Sequence, residues 1–528
     1  MKKLIFILLS LLIALGACKR DAEEVAAVVK EGPEFIIANG AEPETLDPHL
    51  VSGVPEYNIY MSLFEGLTTV DPKTAAGVPG LAESWEISDG GKTYTFKLRQ
   101  AVWSDGEPIT AETVRDSWLR MINPETATPY AWFPSMFIAG AAEYNGGKAG
   151  PEAVKIKAVD DTTFQMTMVG PLPYVTGALA HYAFAVVPLH AIDKHGKEWT
   201  NPENFVGNGP FLLDEWLPQE KVSVVPNPKY WNADIVKLGR VTYLPIDDLN
   251  TAHTLYLNGE ADWSRTVPLD QIDAVKLRAD YQNSPYLGTY YYTFQTQSPP
   301  FDDVRVRKAL TMAIDRKSLT DKITKAGQLP APAFVPSGMA GYTGIKGTAE
   351  SVERAKQLLA DAGYPGGDGF PTFEILYNTS DNHKKIAEYV QQEWKENLGI
   401  ECTLANQEWK TYLANRRAGE FQVARAGWIG DYQDPNTFLD MFVTGGAMNG
   451  GQYTNKQFDE AIHKAATMDA GSARMEVLRQ AEQVFIEQDQ AVMPIYYYVR
   501  NNMIDLDKWG GWHMNLMDYH PPQFIYKK

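Results

Sequence analysis

Residues 383–404, HKKIAEYVQQEWKENLGIECTL, change their reading in mid-run. His383 to Leu398 forms a helical pattern that Gly399 stops, since a residue without a Cβ takes the left-handed turn that ends many helices. Ile400-Glu401-Cys402-Thr403-Leu404 then reads as a strand. Working outward, Ser351 to Ala362 is a helix stopped by Gly363 and Pro365, and Val306, Ala309, Leu310, Ala313 and Ile314 fall on the i, i+3, i+4, i+7, i+8 stripe of an amphipathic helix. Residues 474–489 predict a further helix, and Met493 to Val499 a strand leading into the tail. Towards the N-terminus, Tyr94, Phe96 and Leu98 share one face of a half-buried strand, and Thr110 is placed to cap a helix running past Trp118. The fold class is mixed α/β, and 528 residues are too many for one small core. No internal repeat of roughly 20 to 50 residues is visible.

The first residues belong to export and not to the fold. Lys2 and Lys3 precede an apolar stretch, Leu4 to Leu15, too short to span a bilayer stably. Leu15-Gly16-Ala17-Cys18 resembles a bacterial lipobox, so residues 1–17 are expected to be a signal peptide and Cys18 the lipidated residue. Residues 18–33 then read as a tether reaching about 50 Å when extended. Without Lys2 and Lys3, the 48 basic side chains fall to 46 against 66 acidic ones, a net charge of −20 that excludes nucleic acid as a partner. With Cys18 lipidated, only Cys402 remains, so no internal disulfide can form and packing must supply stability.

Catalytic patterns are missing. The nine His residues form no His-x-x-x-His or His-x-His pair, and there is no Gly-x-Ser-x-Gly elbow. Gly91-Lys92-Thr93 imitates the end of a phosphate loop, but Glu86 stands where the first Gly belongs and a strand follows, so a turn is expected. Asp302-Asp303 directly precedes a helix and reads as its cap, not as a metal site. No cofactor or metal is expected. The 13 Trp and 27 Tyr serve mostly as core, and some can line a pocket whose rigid faces accept varied side chains.

Several segments resemble one family. Leu81-Ala82-Glu83-Ser84-Trp85, Tyr94 to Arg99, Trp103-Ser104-Asp105-Gly106, Asn208-Gly209-Pro210-Phe211, Asn227-Pro228-Lys229-Tyr230-Trp231, Gly259-Glu260-Ala261-Asp262 and Phe301 to Ala309 run in the order of the extracellular solute-binding proteins of peptide/nickel ABC importers. Asn378 to Lys385, Asn406 to Thr411 and above all Val423 to Tyr432 are similar to its oligopeptide-binding branch. The resemblance implies a type II periplasmic-binding-protein fold, two lobes with a crossing hinge and an additional inserted domain. Lobe I would gather residues 34–65, 189–287 and 498–528, the inserted domain residues 66–188, and lobe III residues 288–497.

The resemblance also implies the site. Asp431 would pair with the α-ammonium of a short peptide. Gly427, Ile429 and, from the opposite lobe, Val54 would bond its main chain in the manner of strand addition. Trp428, Trp409 and Tyr130 would line side-chain pockets. Arg425, a planar fork, and His383 would meet the carboxylate at different peptide lengths, with His383 adding pH dependence through its near-neutral titration. Ser52 stands where the nearest relatives carry an acidic residue, Gly288 and Ile429 where they carry Cys, and the role of Arg265 is open. Expected partners are short peptides, the permease and ATPase subunits of an ABC transporter, and a membrane through the lipid anchor. A non-enzymatic monomer of the periplasm or cell envelope follows. The alternatives are the same fold binding murein tripeptide, dipeptides or a metal chelate, an envelope peptidase, and a chaperone or adhesin.

Overall fold

The structure, a computed structural model, describes residues 32–339 and 341–528. The expected signal peptide, Cys18 and most of the tether lie outside the described residues.

Two long strands organise the molecule. Tyr281–Phe294 and Val492–Ile504 pair antiparallel in the middle of the largest sheet. Outward from them on one side lie Val423–Ile429, Phe373–Asn378 and Cys402–Gln407; on the other lie Trp263–Ser264, Glu34–Ala38, Arg240–Leu244, Lys221–Pro226 and Phe211–Leu217. The register of the central pair breaks between Pro285 and Thr289: Pro285 opposes Val499, whereas Thr289 opposes Tyr497. Such an irregularity bends and twists a ladder. The chain therefore crosses between its two halves twice, at one bent point. A separate four-stranded antiparallel sheet, with Thr93–Leu98 at its centre, sits in the inserted stretch.

Local signals produced these elements for the reasons anticipated. Asp303 caps the helix Val304–Met312 by accepting the Arg305 N–H at 2.8 Å. Thr110 and Thr113 form a reciprocal cap on Ala111–Ile122. Gly399 ends Asp381–Leu398 with φ of 71°. Gly90 and Gly91 both take positive φ in the turn before Thr93, which leaves no helix N-terminus for a phosphate. The strand expected from Ile400 begins at Cys402, because Ile400 instead closes the helix end by donating its N–H to Trp394. The helix expected over 474–489 starts at Ser472 and widens into a π turn over Gln483–Gln488. The strand expected over Met493–Val499 runs on to Ile504, because it crosses both halves.

The two halves meet. Arg417 reaches from the second half to Glu44 of the first at 2.9 Å and also donates to the Ser52 hydroxyl. Asn250 donates to Asp381 at 3.1 Å, and the Leu269 N–H donates to Asn382 at 3.1 Å. The cleft between the halves is shut over two adjoining cavities of about 110 and 310 Å³.

Candidate functional site: a shut cleft with opposite charges at its two ends

The strand Val423–Ile429 forms the floor. The Gly430 N–H donates to the Leu287 carbonyl and the Gln295 N–H to the Gln422 carbonyl, which fixes the parity of the ladder with Tyr281–Phe294. Even-numbered residues bond to that strand, so the N–H and C=O groups of Gly427 and Ile429 point the other way. On that other side Phe373–Asn378 pairs only with Val423 and Ala424. The main chain at Gly427 and Ile429 is thus an unpaired sheet edge inside the cleft. Gly427 is required here: a Cβ would collide with the Tyr498 hydroxyl and stand 3.1 Å from Arg425 Nη2. Facing this edge is the start of the helix Val54–Leu63, where Val54 lines both cavities. Its N–H is one of the helix's orphan donors, and Pro55 follows with none.

At one end lies Asp431, whose side chain is 8% exposed. His181 Nδ1 accepts the Ala183 N–H, so in the neutral ring Nε2 bears the proton that approaches Asp431 Oδ1 at 3.4 Å. Asp431 Oδ2 is buried and has no hydrogen-bond partner. Around it, the rings of Tyr57, Tyr130, Tyr182 and Tyr519 share the cavity wall. Burial first, and then the Asp431 charge, push the Tyr130 hydroxyl well above its usual pKa, so it stays protonated. A buried carboxylate with a bare oxygen, walled by aromatic faces, is built for a cation.

At the other end lies Arg425. Its Nη1 donates to Asn378 at 3.0 Å and its Nη2 to Tyr498 at 2.9 Å, its plane lies 4.8 Å from the Tyr290 ring, and its Nε is buried without a partner. None of these contacts is a carboxylate, so the guanidinium is held and not neutralised. His383 shares this cavity, with Nδ1 3.3 Å from the Tyr290 hydroxyl. Here the sequence expectation is corrected: burial, and then Arg425, hold His383 well below its ordinary pKa, so it is neutral around pH 7 and supplies no near-neutral titration. It is also not the helix cap, a position taken by Ser380.

The aromatic expectations divide. Trp409 is half-buried, stacks on Tyr412 at 5.8 Å and lines both cavities. Tyr130 lines the Asp431 cavity. Trp428 touches that cavity but is chiefly core, 6% exposed with its indole donating to the Thr437 carbonyl at 2.5 Å. Sequence reading missed His181, Tyr519, Arg416 and the Glu44–Arg417 pair, which no local spacing announces. Gly288 lies directly opposite Ile429 in the ladder, with the Ile429 side chain filling the space over the glycine.

Two lobes shut on a cleft that carries an anion site, a cation site and a free sheet edge define a solute-binding protein. The chain belongs to the bacterial extracellular solute-binding proteins, family 5, whose middle segment matches residues 77–450. It is 38% identical over 508 residues to the periplasmic oligopeptide-binding protein OppA of Salmonella typhimurium, covering 94% of this chain and 93% of that one. The OppA of Haemophilus influenzae, solved in complex with RPPGFSPFR, superposes with a TM-score of 0.89 at 34% identity, over 94% of this chain and 99% of that one. The murein tripeptide-binding protein MppA of Escherichia coli superposes at 0.89 in one structure but at 0.64 in its unliganded open form, at 36% identity and over 94% of this chain, with 99% and 98% of MppA covered. The fold is therefore that of the two-lobed periplasmic binding proteins, here with its cleft closed. The family and these neighbours are binding proteins.

Proposed function

We propose that this chain is the substrate-binding component of an ABC-type oligopeptide importer, enclosing short peptides by their ends and backbone. The observation that carries the reading is the bare, buried Oδ2 of Asp431 at one end of the cleft with the uncompensated Arg425 at the other. Only features common to all peptides are read: Asp431 takes the ammonium, Gly427, Ile429 and Val54 take the main chain, and Arg425 takes the carboxylate. Trp409, Tyr130 and the edge of Trp428 bound space for side chains, and His383 contacts the end of longer ligands as a neutral hydrogen-bonding group.

Asp431 and Arg425 are six residues apart along the chain. Six residues of extended chain span at most roughly 20 Å, which bounds the separation of the two charges at the scale of a short peptide. The cavity beyond Arg425 gives longer peptides room.

We divide the chain as the resemblance suggests, into lobe I (34–65, 189–287, 498–528), an inserted domain (66–188) and lobe III (288–497), with the register break at 285–289 as the hinge. The protein works outside the inner membrane, held by lipid on Cys18, and hands its closed complex to permease and ATPase subunits. No chemistry is assigned to the cleft, because its charged groups neutralise ligand ends and activate no nucleophile. Calorimetric titration with tri- to pentaalanine, free and N-acetylated, tests the reading. Free peptides should bind and acetylated ones should not; equal affinity for both would contradict the ammonium site.

A further inference from the structure

Charge is unevenly divided in the cavity of about 310 Å³. Its cations are Arg265, Arg425 and Arg500, and among the described residues the one acid lining it is Asp247. Asp518, in the wall of the adjoining cavity, serves two of these arginines at once: Arg265 Nη2 donates to its Oδ2 at 2.8 Å, and Arg500 Nε lies 2.6 Å from the same oxygen. Its other oxygen accepts from Asn502 at 3.0 Å and faces His520 Nε2 at 2.9 Å, so neither oxygen is free to serve another cation. Three positive charges therefore meet two negative ones, with His383 neutral beside them. Arg265 bears the shortfall. It is 6% exposed, its Nε is buried without a partner, and burial, then the charge of Arg500, lower its pKa.

These cations come from opposite halves. Arg425 belongs to the floor strand Val423–Ile429; Arg265 directly follows Trp263–Ser264 on the other side of the central pair, and Arg500 lies past the register break. Arg265 and Arg425 each line both cavities, so they border the same passage. Under the function proposed above, Asp431, Arg425 and the free edge all hold the ligand to lobe III. For the cleft to close, lobe I must also gain something when the ligand is present. We infer that Arg265, steadied by Asp518, supplies that gain by receiving the peptide's carboxylate from the side opposite Arg425. Shutting the cleft without a ligand brings like charges together where little water screens them, which opposes closure. A carboxylate between the two guanidiniums turns the repulsion into a pair of charge-assisted contacts and brings the cavity to neutrality. One anion thus fastens the ligand to one half and draws in the other.

The inference depends on the peptide reading, and the two fail differently. Arg265→Gln leaves Asp518 with Arg500, Asn502 and His520, so the fold is kept, which the melting temperature checks. Calorimetry of the full mature variant with trialanine should show a loss of about tenfold or more, whereas trialanine amide should bind within about twofold of its affinity for the unaltered protein. Arg265→Lys should keep part of the difference. Small-angle X-ray scattering reads closure itself: saturating trialanine should contract the unaltered protein further than saturating trialanine amide does, and should contract Arg265→Gln less. Equal losses for the acid and its amide, unchanged trialanine affinity in a variant of unaltered melting temperature, or equal contraction by the two ligands in the unaltered protein each overturn the assignment. Failure of the unaltered protein to bind trialanine at all overturns the peptide reading and this inference with it.

Discussion

The carboxylate of Asp431 has one oxygen facing His181 and one buried with no partner, and four tyrosine rings share the wall of its cavity. Leaving such a group bare costs several kcal/mol, so a cation that completes it is strongly favoured over an empty shut cleft. Arg425 poses the mirror problem, and its replacement gives a sharp outcome. Arg425→Gln should weaken trialanine by about 100-fold while barely altering affinity for trialanine amide, which calorimetry reads directly. Because His383 is neutral through this range, peptide affinity should show no step between about pH 6 and 7 and should fall only as the ligand's own α-ammonium loses its proton at about pH 8; a drop centred near 6.5 would show that His383 titrates. That Asp431 and Arg425 line one cleft was legible because they sit together in one distinctive run, Val423 to Tyr432, whose resemblance implies it. His181 and Arg416 were not, since a ring on the inserted sheet's side of the molecule and a lone basic residue on a helix become neighbours only through tertiary packing.

At the scale of elements, the strand Val423–Ile429 has two sides: its even residues knit the sheet, and its odd residues beyond Arg425 leave an unpaired edge facing the cleft, which the proposed reading gives to the ligand. Gly427→Ala tests the second. The added methyl has no space beside Tyr498 and Arg425, so trialanine affinity should fall by about tenfold or more, with far-UV circular dichroism unchanged. The Gly288–Ile429 pair tests the first. By the same parity it is a non-hydrogen-bonded pair, which places Cα atoms about 4.5 Å apart, within disulfide range. The double variant Gly288→Cys, Ile429→Cys should oxidise spontaneously and raise stability to denaturant by about 2–4 kcal/mol, as seen by comparing melts with and without reductant. Elements were read well from sequence where a cap or a glycine marked their ends, as at Thr110, Asp303 and Gly399. They were read short where tertiary pairing extended them. Val492–Ile504 is 13 residues long because it serves both halves, and no local pattern announces a crossing.

For the whole molecule, closure joins parts that the sequence holds far apart. Glu44 and Arg417 meet only when the halves meet, so the α/β class was readable from periodicity while the cleft's geometry was not. Stability carries its own signature. Glu482, which accepts the N–H groups of Phe334 and Val335 and the Tyr342 hydroxyl, is pushed up by burial from 4.5 to about 7. Between those values the folded protein holds a proton that the unfolded chain has released, so stability must fall as pH rises through that window. Glu56 and Glu65 act in the same direction. Melting temperatures from pH 5 to 7.5 should decline more steeply for the unaltered protein than for Glu482→Gln, by an amount on the order of 3 kcal/mol in stability. The proposed capture of the ammonium turns on the charge at the end of the closing cleft, and Asp431→Asn removes that charge at constant shape. Calorimetry of this variant with trialanine should show at least about a 100-fold loss of affinity with an unaltered melting temperature; retention of full affinity would contradict capture through the ammonium.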